Sequence, residues 1–378
     1  MRVLIIPSWY YDVHDAGAGL FFKEQTRAMY EAGVKVGMIY ARLDYRQPLR
    51  SVSRFDTTHG FPLFRLNQFA LPNAHPVLTH WWIKRFERLY TQYRNEFGRP
   101  DLIHVHCWSA GRVARVIARR EGIPYLVTEH LSSFLREDLL PQQGRAARQV
   151  FDEAAAVVAV SEGLAKQLRK YTDNPRLIVI PNIVDTDFFD IPAQKYSNEV
   201  FQLSSIGDPW HTKGYDILLE ALHLFKQNTG YPFHLKLGDR IPGRADLLKI
   251  IEKYDLSSQV SFLGRLSREK VRAIMQQSDV YISASRWETF GLTMAEAMAC
   301  GTPVVATKTA GALDVVDQHT GILVPKEDPF ALADAVTIIF HKRLIFDAEE
   351  IRTYVLHRFG KEVVTEALKK LYTSILEF

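Results

Sequence analysis

Short apolar runs alternate with stretches whose apolar residues return every three or four positions, and this alternation constrains the chain more than any single motif. Residues 2–6, 34–40, 102–106, 125–128, 155–160 and 177–180 read as strands; residues 20–32, 112–120, the segment before Asp152 and 162–170 read as the helices between them. A strand that reaches its neighbour through a helix runs parallel to it, so the series predicts a doubly wound α/β domain. A second series starts at Phe201, with strands over 201–206, 233–237, 260–263, 280–282 and 304–306 and helices over 215–225, 245–254, 268–277 and 329–340. At 378 residues the chain has room for two such domains. The expected fold is therefore α/β, two Rossmann-like domains facing a cleft, the first over residues 1–195 and the second over 196–360, with the polar stretch 192–198 as linker. Residues 42–76 read as irregular, and residues 79–94 as a helix with Trp82, Phe86, Leu89 and Tyr93 along one stripe.

Composition narrows the classes of function. A chain 47% hydrophobic and 24% charged has ample material for a globular core. Its two cysteines, Cys107 and Cys300, lie far apart and form neither a metal nor a disulfide framework, which suits a reducing compartment. The apolar start at residues 3–6 is too short for a signal peptide and no run approaches a membrane span, so a cytoplasmic protein is expected. Residues 1–195 carry 26 of the 47 basic residues and 20 of the 43 acidic ones, which points to an anionic partner for the first half. Two readings of helix 79–94 compete: a basic aromatic surface, with Lys84, Arg85 and Arg88, that touches anionic lipid at the inner membrane face, or a core stripe with a solvated back. The stripe's spacing favours the core. No nucleic-acid motif is present and no such partner is expected.

The richest chemistry lies in residues 283–301, where a strand ends, Gly291 breaks the chain, and a helix of Ala, Met, Leu and Thr runs to Gly301. Glu296 sits inside that apolar helix, where an ionised carboxylate is costly unless something donates hydrogen bonds to it. Glu288 precedes the helix, and the first free amides, at Phe290, Gly291 and Leu292, face the gap between the two acids. A helix start suits phosphate and paired carboxylates suit sugar hydroxyls, so the stretch fits a nucleotide sugar. The plainer reading is two acids flanking an ordinary helix start. Lys213-Gly214 opens another helix; a lysine at the positive end of a helix dipole either swings into water or meets an anion there, such as a diphosphate.

Other candidates lie in the first half. Gly17-Ala18-Gly19 follows the first strand, but lacks the third glycine and the ribose acid of a dinucleotide fingerprint, which disfavours an oxidoreductase. His104 and His106 share a strand face without a third ligand, so no metal is expected. His130, in Thr128-Glu129-His130, leaves the carboxyl end of a strand, where it can donate to a sugar hydroxyl or carry a proton; a capping histidine is the simpler alternative. Asp185 and Asp187 form an Asp-x-Asp pair on the domain exit, better read as a turn than as a metal site.

Taken together, Lys213 through Ala221, Gly264-Arg265, Ser285 through Leu292 with Glu296-Ala297, Gly301-Thr302-Pro303-Val304-Val305, Gly311, Gly321 through Pro325, Val160-Ser161 and Pro181 through Phe188 resemble the retaining, nucleotide-sugar-dependent glycosyltransferases of family 4, group 1, which have the GT-B fold. The likeness spans nearly the whole chain. It implies catalytic roles for His130, Glu288 and Lys213. Donor binding is assigned to Gly19, Lys213, Arg265, Glu288, Phe290, Gly291, Leu292 and Glu296: Glu288 on sugar hydroxyls, Glu296 on the ribose, Lys213 on the diphosphate, His130 beside the reacting sugar. It also implies that the last helix, about residues 361–378, crosses back to the first domain. One departure is that Asp208 follows Gly207 where the family usually has arginine, leaving Arg240, Arg265 or Arg286 to compensate. The expected reaction is retaining, metal-independent transfer of a hexosyl group from a nucleotide sugar, UDP-linked by preference. The acceptor is a saccharide or lipid-linked hydroxyl in polysaccharide biosynthesis. No cofactor is expected, the nucleotide sugar being a co-substrate. A phosphorylase or epimerase of the same fold, or a non-catalytic nucleotide-sugar binder, are the alternatives.

Overall fold

The computed structural model describes residues 1–10, 19–44, 52–57, 60–69, 76–193, 200–207, 211–238, 245–341 and 346–377. The chain divides into two compact units, one made of Met1–Val160, Leu164–Ile183 and Val364–Phe378, the other of Ser161–Gly163 and Val184–Val363.

In chain order the first unit begins β1 (Arg2–Pro7), α1 (Leu20–Glu31), β2 (Lys35–Asp44), β3 (Val52–Asp56), β4 (Leu63–Phe69) and α2 (Pro76–Phe97). It continues β5 (Leu102–His106), α3 (Trp108–Glu121), β6 (Tyr125–Glu129), α4 (Ser133–Arg136), α5 (Pro141–Asp152), β7 (Ala156–Ala159), α6 (Glu162–Leu168) and β8 (Leu177–Val179). The eight strands stand in the order β3-β4-β2-β1-β5-β6-β7-β8, and only β3 runs antiparallel to its neighbour. β5, β6 and β7 are buried along their whole length, so β7 reads as an unbroken apolar run, while the other two carry His104, His106, Thr128 and Glu129 into the interior.

The hairpin β3–β4 corrects the irregular reading of residues 42–76. Its strands interleave Arg54, Arg65, Asn67 and Gln68 with apolar residues, a weak signal that becomes a strand only because the edge of the sheet offers β4 a partner in β2. The stripe of α2 is core: Phe86, Leu89 and Tyr93 are buried, with Tyr90 beside them, while Lys84 and Arg88 are exposed.

The second unit holds β9 (Phe201–Ile206), α7 (Tyr215–Thr229), β10 (Phe233–Gly238), α8 (Ala245–Lys253), β11 (Val260–Phe262), α9 (Arg268–Gln277), β12 (Val280–Ser283) and α10 (Leu292–Ala299). It ends with β13 (Val304–Thr307), α11 (Ala312–Val315), β14 (Gly321–Val324), α12 (Pro329–His341) and α13 (Ala348–Phe359). Its six strands are all parallel, in the order β11-β10-β9-β12-β13-β14. The strand β14 and the helix α13 were not legible as elements beforehand.

The last helix, α14 (Lys361–Leu376), returns to the first unit, where Val364, Leu368, Leu371, Tyr372 and Ile375 pack with β1 residues Val3 and Ile5. Of the linker read over residues 192–198, residues 194–198 lie outside the described residues. Asp185 makes a turn, accepting from the Phe188 amide at 3.2 Å, and pairs with Arg268 at 2.8 Å. Among the described residues no helix is long and apolar enough to cross a membrane.

Candidate active site

Both sheets reverse their winding next to their first strand: β9 against β12 in the second unit, β1 against β5 in the first. The loops that leave the carboxyl ends of such a strand pair diverge to opposite faces, and the crevice between them is where ligands settle in open α/β sheets. In the second unit the loop after β9 brings Lys213, and the loop after β12 brings Glu288.

The two side chains meet: Lys213 Nζ donates to Glu288 Oε1, and both are largely buried, with side chains 17% and 13% exposed. Sequence reasoning placed Lys213 opposite a diphosphate; in the structure the anion it meets is Glu288. Around this pair the sequence has built a rigid frame. The Lys213 stem crosses Gly207, where an added Cβ would lie 2.3 Å from Cε. Ser285 Oγ donates to the same Glu288 oxygen at 3.1 Å. Thr307, from β13, holds the carbonyl of Ser285 at 2.6 Å. The Gly311 amide donates to the Glu288 carbonyl at 2.9 Å, and an added Cβ on Gly311 would lie 2.3 Å from the Phe290 oxygen, so only glycine allows that approach. Gly214, at φ 64°, caps α7 while its Cβ position lies 2.0 Å from the Ala284 carbonyl oxygen, which fixes the Lys213 loop against the β12 exit.

Gly291 caps α10 and its carbonyl accepts the Met294 and Ala295 amides. The Phe290, Gly291 and Leu292 amides donate to no group among the described residues, so α10 presents three donors at its positive end. Glu296, one turn into α10, is only 8% exposed. Burial pushes the pKa of Tyr281 upward, with smaller contributions from Glu288 and Glu296; its hydroxyl donates to the Ile206 carbonyl at 3.0 Å. Lys213 and Glu288 thus meet beside the α10 amides beyond the carboxyl ends of β9 and β12, and Tyr281 of β12 feels both Glu288 and Glu296.

The arginine substitutes sort differently. Arg286 is committed: it grips Asp216 through two bonds of 3.0 and 2.7 Å, Glu327 at 3.1 Å and the His211 carbonyl at 2.7 Å. Burial pushes Asp216 up, but the guanidinium outweighs it and holds the carboxyl below its ordinary value. Arg286 therefore ties the two loops together. Arg265 is exposed on the loop after β11. Asp208 and Arg240 lie outside the described residues.

In the first unit, Gly19 caps α1; Gly17 and Ala18 are outside the described residues. His130 follows β6 and is 8% exposed, covered by Phe21 and Phe22 with ring centroids 4.9 and 5.2 Å away. Its Nε2 lies 3.1 Å from His106 Nδ1. His104 points elsewhere, to Thr128 Oγ1 at 2.7 Å and the Tyr372 hydroxyl at 2.6 Å. The two strand histidines thus bond to different partners and do not act as a pair. Glu129 is fully buried and accepts the Trp108, His130 and Leu131 amides at 2.9, 2.8 and 2.9 Å. Burial raises its pKa against the pull of those amides. It clamps the loops after β5 and β6 together and so aims His130. Sequence reasoning missed Glu129, Ser285 and Thr307. Glu129 was adjacent to a singled-out residue, but nothing local announces that a carboxylate will be capped by three amides.

With this geometry in hand, the comparisons with known proteins agree. Residues 187–354 match the family of glycosyl transferases group 1, and residues 16–188 match glycosyltransferase family 4. The D-inositol 3-phosphate glycosyltransferase of Pseudarthrobacter chlorophenolicus is 26% identical over 350 residues, covering 86% of this chain and 82% of that protein. The phosphatidylinositol N-acetylglucosaminyltransferase gpi3 subunit of Schizosaccharomyces pombe is 30% identical over 210 residues, 55% of this chain and 43% of its own length. Among solved structures, sucrose-phosphate synthase from Thermosynechococcus elongatus superposes with TM-score 0.83 at 22% identity over 100% of both chains. HepE of Anabaena in complex with UDP-glucose gives 0.75 at 18% identity over 99% of this chain and 100% of its own.

The fold is GT-B, and the site is that of an enzyme which handles a nucleotide sugar. The chain belongs to the family 4, group 1 glycosyltransferases, which transfer a glycosyl group from such a donor.

Proposed function

We propose that this enzyme transfers a hexosyl group from a UDP-sugar, with retention of configuration, to a hydroxyl of a saccharide or lipid-linked acceptor in polysaccharide biosynthesis. The observation that carries this reading is the Lys213–Glu288 contact beside the three unengaged amides of α10. When a nucleotide sugar binds, its diphosphate competes with Glu288 for the Lys213 ammonium and takes up the α10 amides. Glu288, released from Lys213, turns its oxygens to sugar hydroxyls. Negative charge that develops on the departing diphosphate then meets a fixed cation and a helix N-terminus, which is where transition-state stabilisation is worth most. That supply of positive charge requires no metal, and metal independence is part of the proposal. Glu296 holds the ribose hydroxyls and Arg265 adds a second cation. His130 and Gly19 keep the sugar-side and phosphate-side roles that the family resemblance implies. UDP is favoured because HepE, of the same fold, is described with UDP-glucose. A peripheral contact of the first unit with anionic lipid at the inner membrane face draws on the exposed Lys84 and Arg88 of α2.

The test is thermal stability across UDP-, GDP-, ADP- and TDP-sugars with and without EDTA, since a ligand bound only to the folded state stabilises by RT ln(1 + [L]/Kd). The UDP-sugars are expected to raise the Tm in the presence of EDTA, and Lys213→Ala or Glu296→Ala to abolish the rise. Stabilisation by another nucleotide class, or only with a divalent ion, would overturn the donor assignment.

A further inference from the structure

His106 stands behind His130, and the transfer reaction as described has no use for it. It ends β5, is fully buried, and lies between the His104 ring at 4.5 Å and the Phe22 ring at 4.6 Å. Its Nδ1 is 3.1 Å from His130 Nε2. The outer nitrogens, His106 Nε2 and His130 Nδ1, are both buried without a hydrogen-bond partner. Burial lowers both pKa values, that of His130 to about 3, so both rings are neutral at physiological pH.

A neutral imidazole carries one N–H and one lone pair, so the contact admits two arrangements. In the first, His106 donates through Nδ1, His130 keeps its proton on Nδ1, and the bare lone pair is left on His106 Nε2. In the second, His130 donates through Nε2, and the unsatisfied N–H falls on His106 Nε2. Each arrangement strands one buried N–H, a costlier fault than an under-used acceptor. The difference is where a ligand can relieve it. His106 is the last residue of β5 and has no exposed surface, while His130 sits just beyond the carboxyl end of β6, the edge where ligands of such sheets settle.

We propose that His106 is a positioning residue, which donates Nδ1–H to His130 Nε2 and so fixes His130 as the Nδ1–H tautomer, a hydrogen-bond donor toward an oxygen of the bound sugar. His130 then acts through a hydrogen bond and no proton changes hands. Neighbouring groups do not compete for the pair: both nitrogens of His104 are taken by Thr128 and Tyr372, and Glu129 is occupied by backbone amides. This inference rests on the reading of His130 as a sugar-facing residue.

The test uses the full chain labelled with ¹⁵N-histidine and two substitutions. In His106→Asn the side-chain amide nitrogen falls near the Nδ1 position and keeps a donor; in His106→Leu no donor remains. Long-range ¹⁵N correlations, assigned with His130→Gln, are expected to show His130 protonated at Nδ1 in the parent and in His106→Asn, and at Nε2 or mixed in His106→Leu. Equilibrium titration is expected to show His106→Leu binding UDP-glucose about tenfold more weakly, about 1.4 kcal/mol, with UDP alone unchanged and His106→Asn within about threefold of the parent. A parent His130 protonated at Nε2, or equal losses in both variants, overturns the proposal. If His106→Leu does not fold, the parent tautomer and His106→Asn decide it. The tautomer readout needs no nucleotide, so failure of UDP to bind the parent would refute the donor assignment separately.

Discussion

Removing the Lys213 ammonium should destabilise the second unit and, in the same stroke, lower its affinity for donor. Lys213 and Glu288 are 17% and 13% exposed, between the surface regime, where an ion pair is worth 0 to about 1 kcal/mol, and the buried one, where losing one partner costs about 3–5 kcal/mol. Lys213→Met, which keeps the stem packed over Gly207, should therefore cost about 2 kcal/mol, most of it from leaving Glu288 without its cation. At roughly 2–4 °C per kcal/mol for a unit of this size, the Tm should fall by roughly 4–8 °C. Glu288→Gln keeps an oxygen for Ser285 and Lys213, so it should cost about 1 kcal/mol. The double variant has no stranded carboxylate, and its loss should be smaller than the sum of the single losses by about 1 kcal/mol or more. The assay is thermal unfolding of all four proteins under one buffer, repeated with saturating UDP-glucose, where only the parent should show a large further rise. Additive losses, or a Lys213→Met protein that gains as much from UDP-glucose as the parent, would refute the reasoning.

Three more outcomes are expected. Gly311→Ala puts a methyl 2.3 Å from the Phe290 oxygen and must move backbone, so it should lower the Tm by several degrees, about 2–4 kcal/mol, and erase stabilisation by UDP-glucose; an unchanged Tm would contradict the contact. Tyr372→Phe strips His104 Nδ1 of a buried partner at 2.6 Å and should cost about 1–3 kcal/mol by urea unfolding, whereas a neutral result would mean that the bond carries no net stability. Acid should destabilise the first unit: burial holds His104 and His130 near 3, below their unfolded value of 6.5. The unfolded chain therefore gains protons first, and stability complete above pH 6.5 should fall toward pH 3 by up to about 1.4 kcal/mol per pH unit for each histidine. Glu129, raised by burial, titrates in the opposite sense and softens the lower part of that window. His104→Asn should flatten the Tm profile between pH 6 and 4, and a profile as steep as the parent's would discount the histidines.

Much of the second unit was readable in advance because its strands β12 and β13 are buried on both faces and helices such as α7 carry a single apolar stripe, so local pattern and tertiary role coincide. The short helix α10 was legible for the same reason: Gly291 and Gly301 bound it, and one acid interrupts an apolar face. The edge hairpin β3–β4 was not, because an edge strand takes its identity from the partner it pairs with more than from its own residues. Arg286 was one of three arginines among which the sequence could not choose, for a different reason. An arginine beside an acid-rich loop looks available for phosphate, and only the fold reveals that Asp216, seventy residues earlier, already holds it.

By itself the amino-acid sequence determined the class of fold, the two strand–helix series and the residue types that a nucleotide sugar calls for, since these depend on periodicity and on side-chain chemistry within a few positions. Only the tertiary structure decided which of those groups engage one another: that Lys213 meets Glu288 across two loops, that Glu129 is capped by three amides, and that His106 backs His130. The reason is physical. A hydrogen bond between residues distant in the chain is set by which strands lie side by side, and parallel strand order follows from how whole units bury their apolar surface, which no short window of sequence contains.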